Sequence, residues 1–282
     1  MSSAISPPMT SHRLPRPWLD RRGRVSPLRL AVLALAVAPA LWLLLAALGG
    51  GLGAEPWKAA TREVGTYALS FLLVTLAVTP LRWIADWPLA ATLRRMLGLT
   101  ALAYAALHLL LYLGHLGWNL PQAGWEIATR FYLTLGFVTL VGLAVLGWTS
   151  TDRWQARLGR GWKKLHRLTY PLAAAGVLHA FLQSKAGADQ AALMAGLFAW
   201  AMFWRTLAGR WRADGWALLA LAPLAALATA LIEAGWYGAA TNLPALRILA
   251  ANLDPALLRP AHIVLLAALL VATLPALRQR FR

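Results

Sequence analysis

Cysteine is absent from the 282 residues of this chain. That excludes disulfides, thiolate haem ligation, iron–sulfur clusters and covalent c-type haem attachment. A metal would have to be held by histidine, methionine, carboxylate or backbone. Charge is scarce as well: charged residues make up 13%, against about a quarter in soluble domains. Acidic side chains number 10 and basic ones 27. No Walker motif, no GxGxxG fingerprint and no internal repeat is evident.

What the chain has is apolar sequence, at 60% hydrophobic residues. It comes in runs that each approach the roughly 20 residues a helix needs to cross a bilayer. The pattern predicts eight spans: Leu30–Leu48, Tyr67–Leu81, Leu97–Leu116, Phe131–Trp148, Leu165–Leu182, Ala191–Leu207, Trp216–Trp236 and Ala261–Leu277. The runs do not alternate in character as barrel strands would, so the expected fold is an all-α integral membrane bundle. No large soluble domain fits between the spans.

The net charge of +17 would suit a nucleic-acid binder, but its distribution does not. With the N-terminus in the cytoplasm, the opposite face keeps only Lys58, Arg62, Arg130, Lys185, Arg247 and Arg259. All other lysines and arginines fall on the cytoplasmic side, as the positive-inside rule requires, and both termini are expected there. Trp83, Trp118, Trp148, Trp162, Trp216 and Trp236 mark an interfacial belt at span ends. Residues 1–29, rich in proline and arginine, read as a disordered basic tail. Gly49, Gly50 and Gly51 read as a helix terminator.

Six histidines remain to be explained. His12 falls in the tail and His262 at an interface, where neither needs a special role. His108 lies roughly 18 Å into span three and His179 roughly 20 Å into span five, counted from the cytoplasmic side at about 1.5 Å per residue. Two imidazoles at one depth on facing helices are what the axial positions of a b-type haem require. His166, thirteen residues before His179 and roughly 140° round the helix, would not face the same neighbour unless Pro171 kinks the span. At the cytoplasmic interface His166 can ligate a second haem, with Met96 as a weak opposite ligand, or hold a propionate or flavin phosphate. His115 reaches the outer interface. Arg94 and Arg95, beside the basic loop that ends in Arg167, can pair with propionate or phosphate; positive-inside charge alone explains most such residues. Glu233, near the outer interface, suits a carboxylate snorkelling to water better than a quinone or proton site.

The segments RRMLGLTALAYAALHLLLYL (Arg94–Leu113) and TSTDRWQARLGRGWKKLHRLTYPLAAAGVLHAF (Thr149–Phe181) carry a pattern. It is R-R-x-L-G-L, a histidine in span three, T-S, then W-x-x-L-H-R-L-x-Y with a second histidine thirteen residues on. It resembles the ferric-reductase-like transmembrane family, in its MsrQ (or YedZ) branch of haem-binding membrane subunits, over roughly Leu30 to Leu207. The resemblance implies a six-helix bundle binding b-type haem, with the family's haem histidines falling on His108, His166 and His179. It also implies an electron conduit. Electrons would come from a cytoplasmic flavin reductase or the quinone pool, with FMN as a further cofactor. They would pass to an MsrP-like periplasmic molybdenum-cofactor enzyme that repairs methionine sulfoxide. The chain would then be the electron-transfer subunit of a bacterial inner-membrane complex, not the catalytic one. On this reading residues 30–208 form the haem core and residues 209–282 an added transmembrane hairpin with a basic tail. The FAD- and NADPH-binding domain of the larger oxidase relatives is missing, so the chain is not expected to oxidise NADPH unaided. A ferric or metal reductase component, and a non-redox transporter with structural histidines, are the alternatives.

Overall fold

The computed structural model describes residues 18–19, 23–184, 187–241 and 243–280. His12 and most of the expected tail lie outside the described residues. Described regular structure is helical: α1 (Pro27–Leu48), α2 (Pro56–Ile84), α3 (Arg94–His115), α4 (Leu120–Thr129), α5 (Phe131–Trp148), α6 (Asp152–Leu158), α7 (Arg160–His166), α8 (Thr169–Ser184), α9 (Asp189–Thr206), α10 (Gly215–Ala240), α11 (Ala245–Leu253) and α12 (Pro260–Arg280). Among these, α1, α2, α3, α5, α10 and α12 are long and apolar enough to cross a membrane. α8 has only 16 residues, and α9 carries Asp189, Gln190 and Arg205 at its ends.

Two expected spans differ from the observed helices. The second begins at Pro56, not near Tyr67. Lys58, Arg62 and Glu63 dilute the apolar signal there, but helix needs no hydrophobicity, and proline at the first position is preorganised for it. The fifth is not one kinked helix. α7 ends at His166, a tight turn follows with Arg167 N–H bonded to Lys164 C=O and Leu168 N–H to Leu165 C=O, and α8 starts at Thr169. Pro171 falls in the first turn of α8, where a missing N–H breaks no bond.

In lipid, apolar burial gives helices little reason to associate, so close packing of small residues has to do it. Ala101, Ala173, Ala192, Ala222 and Ala225 are fully buried between helices, while Leu35, Leu44, Leu266 and Leu270 face outward. The main core joins α2, α3, α5, α8 and α9; a second joins α9, α10 and α12 and includes Ile84. At Gly196 a Cβ would stand 2.1 Å from Thr229 Oγ1 and 2.7 Å from Val264 Cγ2, so α10 and α12 lie hard against α9.

α1 ends as expected. Gly49 N–H bonds to Leu45 C=O, and Gly51 N–H to Ala46 C=O at 2.8 Å. Gly50 between them has φ 71°, a conformation that favours glycine. Within α1, Pro39 interrupts the ladder, and the Tyr104 hydroxyl from α3 enters there. It donates to Ala36 C=O at 2.7 Å and accepts from Ala40 N–H at 3.1 Å.

The expectation for Glu233 is overturned. Its side chain is fully buried, bonded by Arg259 and by Asn252 Nδ2 at 2.7 Å. The same guanidinium reaches Asp189 at 3.0 Å. The carboxylate meets a cation supplied by the start of α12 and does not need to find water.

Candidate functional site

α3 packs antiparallel on α2, and α5 on α8; these two pairs bring His108 and His179 together. The ring centres are 6.1 Å apart and the ring planes cross at 88°. Each ring is anchored through Nδ1 to a backbone carbonyl: His108 to Thr61 C=O at 2.7 Å, His179 to Tyr132 C=O at 2.8 Å. A carbonyl only accepts, so each Nδ1 carries the proton and each Nε2 keeps its lone pair, the form that binds metal. Anchoring of this kind also fixes ring orientation and makes the imidazole a better donor.

The spacing tests what the pair can hold. A metal–imidazole bond is about 2 Å long, so one ion between two opposed imidazoles puts ring centres roughly 6 Å apart. Among the described residues, no three of His, Asp or Glu converge as a metal-binding group. A bare ion would therefore find too few donors. An ion that brings its own equatorial chelate, as iron in a porphyrin does, needs only two axial ligands. The residues fit that group.

The other end of the bundle gathers the remaining motif residues. Trp162 stacks on His166 with centres 4.0 Å apart, and its indole N–H donates to Thr149 C=O at 2.9 Å. Thr149 Oγ1 lies 3.3 Å from His166 Nε2. The T-S and W-x-x-L-H elements thus meet around one threonine. Burial, then the nearby Arg94 guanidinium, hold the His166 imidazole below its ordinary pKa. Arg95 is paired with Asp152 at 2.8 Å, Arg167 caps α7 and is exposed, and Met96 is half-buried. His166 is on a separate helix from His179 and does not join the pair in the membrane.

Residues 64–177 match the model of the ferric reductase like transmembrane component. A protein-methionine-sulfoxide reductase heme-binding subunit MsrQ from Rhodospirillum rubrum is 41% identical over 182 residues, covering 63% of this chain and 84% of its own length. The subunit of the same name from Caulobacter vibrioides is 40% identical over 177 residues, covering 61% of this chain and 83% of its own.

The chain belongs to the MsrQ family.

No solved structure matches it. Like other ferric-reductase-like transmembrane components, this MsrQ-family chain is a multi-pass membrane protein.

Two histidines take other roles. His115 is exposed at the end of α3; the Lys58 bond and charge hold the Glu55 carboxyl below its ordinary range, the Gln122 and Tyr112 bonds do so for Glu126, and His115 adds a small part to each. His262 accepts the Arg259 N–H at 3.2 Å and so serves the start of α12. Sequence reasoning missed the anchors of the paired rings. Thr61 and Tyr132 act through their carbonyls, which every residue has, and no side-chain pattern marks them.

Proposed function

We propose that this chain is a b-type haem protein of the bacterial inner membrane that carries electrons across the bilayer to a periplasmic molybdenum-cofactor reductase repairing methionine sulfoxide. The observation that carries the reading is the pair of carbonyl-anchored imidazoles on separate helices, with ring centres 6.1 Å apart. His108 and His179 would hold the iron through Nε2. When bound, haem would supply a one-electron couple suited to electron relay. The helices hold the two rings in place, and their apolar surfaces exclude water.

Residues 30–208 form the haem core on this reading, and residues 209–282 add a hairpin. All eight long helices span the membrane: α8, about 24 Å long at 1.5 Å per residue, sits between α5 and α9 in the same core. The end bearing Arg94, Arg95, Lys163, Lys164 and Arg167 faces the cytoplasm, as do both termini. His166, with Arg94, Arg95 and Arg167, is the electron-entry site. There the imidazole would bind a second haem or FMN, and the guanidiniums its carboxylate or phosphate; Arg95 would exchange Asp152 for that anion. A cytoplasmic flavin reductase or the quinone pool is the donor.

Absorbance spectra of the purified protein, oxidised and reduced, test the reading. A Soret band and a reduced α-band are expected. His108→Ala and His179→Ala should each abolish the main haem signal while the chain still inserts, whereas His166→Ala should slow electron entry. Full haem occupancy in either of the first two variants overturns the axial assignment. The ferric-reductase description of the matched family model favours a second reading, reduction of external ferric ion. Reduction of methionine sulfoxide after mixing with the molybdenum partner, without reduction of ferric chelates, decides between them.

A further inference from the structure

The two anchored rings are built alike. His108 follows Thr61, whose carbonyl it engages, by 47 residues, and His179 follows Tyr132 by the same 47. One turn beyond each carbonyl stands a glycine. A Cβ on Gly65 would lie 2.8 Å from Nδ1 and 2.9 Å from Cε1 of His108. A Cβ on Gly136 would lie 2.7 Å from Cε1 and 2.9 Å from Nδ1 of His179. Those distances are too short for any side chain, so each ring rests on bare backbone.

One constant shift carries Thr61, Gly65 and His108 onto Tyr132, Gly136 and His179. It also carries Leu69, Leu72, Val74, Arg82 and Trp83 onto Leu140, Leu143, Val145, Arg153 and Trp154, and Leu107 and Leu111 onto Leu178 and Leu182. The α2–α3 pair and the stretch from α5 to α8 are therefore two copies of one pattern. The sequence alone did not reveal this, because identities are sparse and the intervening loops differ. Both copies run in the same direction, so an axis along the membrane normal relates them.

We propose that Gly65 with the Thr61 carbonyl, and Gly136 with the Tyr132 carbonyl, are two equivalent cradles that position His108 and His179 as matched axial ligands. The glycines are positioning residues. Each lets a ring settle close enough to its carbonyl for Nδ1 to donate, and that bond aims Nε2 across the gap and strengthens it as a ligand. This rests on the haem reading above.

The test uses the full chain with Gly65→Ala and Gly136→Ala. Haem-to-protein ratio, midpoint potential, the ferric low-spin EPR signal and thermal unfolding are measured on each. A methyl group pushes the ring off its carbonyl, so haem affinity should fall about ten-fold or more, as for other changes behind a ligand. Whatever haem is retained should show a raised potential and a moved EPR signal, because a weaker donor stabilises the ferric state less. The two variants should shift alike.

Gly142→Ala is the packing control. It lies on α5, and the three atoms nearest its methyl would all belong to Leu172, Cδ2 first at 2.5 Å. It should lower thermal stability and leave potential and EPR unchanged. Gly98→Ala on α3, with 3.7 Å to Thr75 Cγ2, should change nothing. Wild-type potential and EPR in both cradle variants overturn the proposal, and so does an equal spectral shift in Gly142→Ala. A wild-type protein without haem absorbance fails the haem reading instead, before any glycine variant is compared.

Discussion

Tyr104 sits almost fully buried, stacked on Phe71 with ring centres 5.2 Å apart. Its hydroxyl bridges Ala36 C=O and Ala40 N–H, two groups that an unbroken helix would bond to each other. Pro39 opens that step, and a phenol from another helix closes it. Tyr104→Phe leaves both groups unpaired in a dry setting. Unfolding in detergent should show a loss of about 1–3 kcal/mol; no loss would mean that α1 rejoins its own ladder. Pro39 is plain in the sequence, but the residue that repairs it lies 64 positions away and is one of several tyrosines. The histidines were legible for the opposite reason: a polar ring in an apolar run is rare enough to demand a partner. The glycines beneath them were not, since glycine is common in membrane helices and only coordinates tell which one faces a ring.

At the scale of elements, apolar run length located every long helix, and Phe131–Trp148 to the residue. It missed α4, α6, α7 and α11, which are shorter than a bilayer and have mixed composition. α4 shows what holds such a piece. Asn119 caps it by accepting the Gln122 N–H at 3.1 Å. Glu126 accepts from Tyr112 of α3 at 2.8 Å and from Gln122 at 3.1 Å, and pairs with Arg130 at 3.2 Å. The bonds from Gln122 and then Tyr112 hold the Glu126 carboxyl below its ordinary value. A depressed carboxyl favours folding fully above the unfolded pKa, about 4.3. The contribution fades as pH falls from there through the lower folded value. Protection of α4 amides from hydrogen exchange, taken relative to the intrinsic rate at each pH, should therefore fall on acidification below about pH 4, and Glu126→Gln should remove that pH dependence. An acid response unchanged in the variant would place the titrating group elsewhere. Arg205 carries a related lesson. By composition it is one more positive-inside charge, yet it donates to Leu76 C=O at 2.7 Å and lies over the Tyr170 ring, tying α9 to α2 and α8.

Across the whole molecule, the hairpin of α10 and α12 is bound to the core by packing at Gly196 and by Arg259, which reaches Glu233 and Asp189 together. Arg259→Ala leaves the Glu233 carboxylate buried without its cation and should cost about 3–5 kcal/mol. Asp189, more than half exposed, should matter far less, with Asp189→Asn within about 1 kcal/mol. Denaturant unfolding of the two variants checks the ranking, and equal costs would mean that Glu233 reaches water after all. Sequence reasoning saw the extra spans but not this bracket, because its members come from three separate segments.

Each copy of the repeated pattern brings one carbonyl-anchored imidazole to the gap. On the proposed haem reading, a guest held by both recognises only the joined halves, so occupancy and cohesion would rise together. At a hundredfold excess over its dissociation constant, such a guest adds about 2.7 kcal/mol to the assembled state. On that reading, a chain folded without its guest lacks this tie, and helix packing alone joins the two halves.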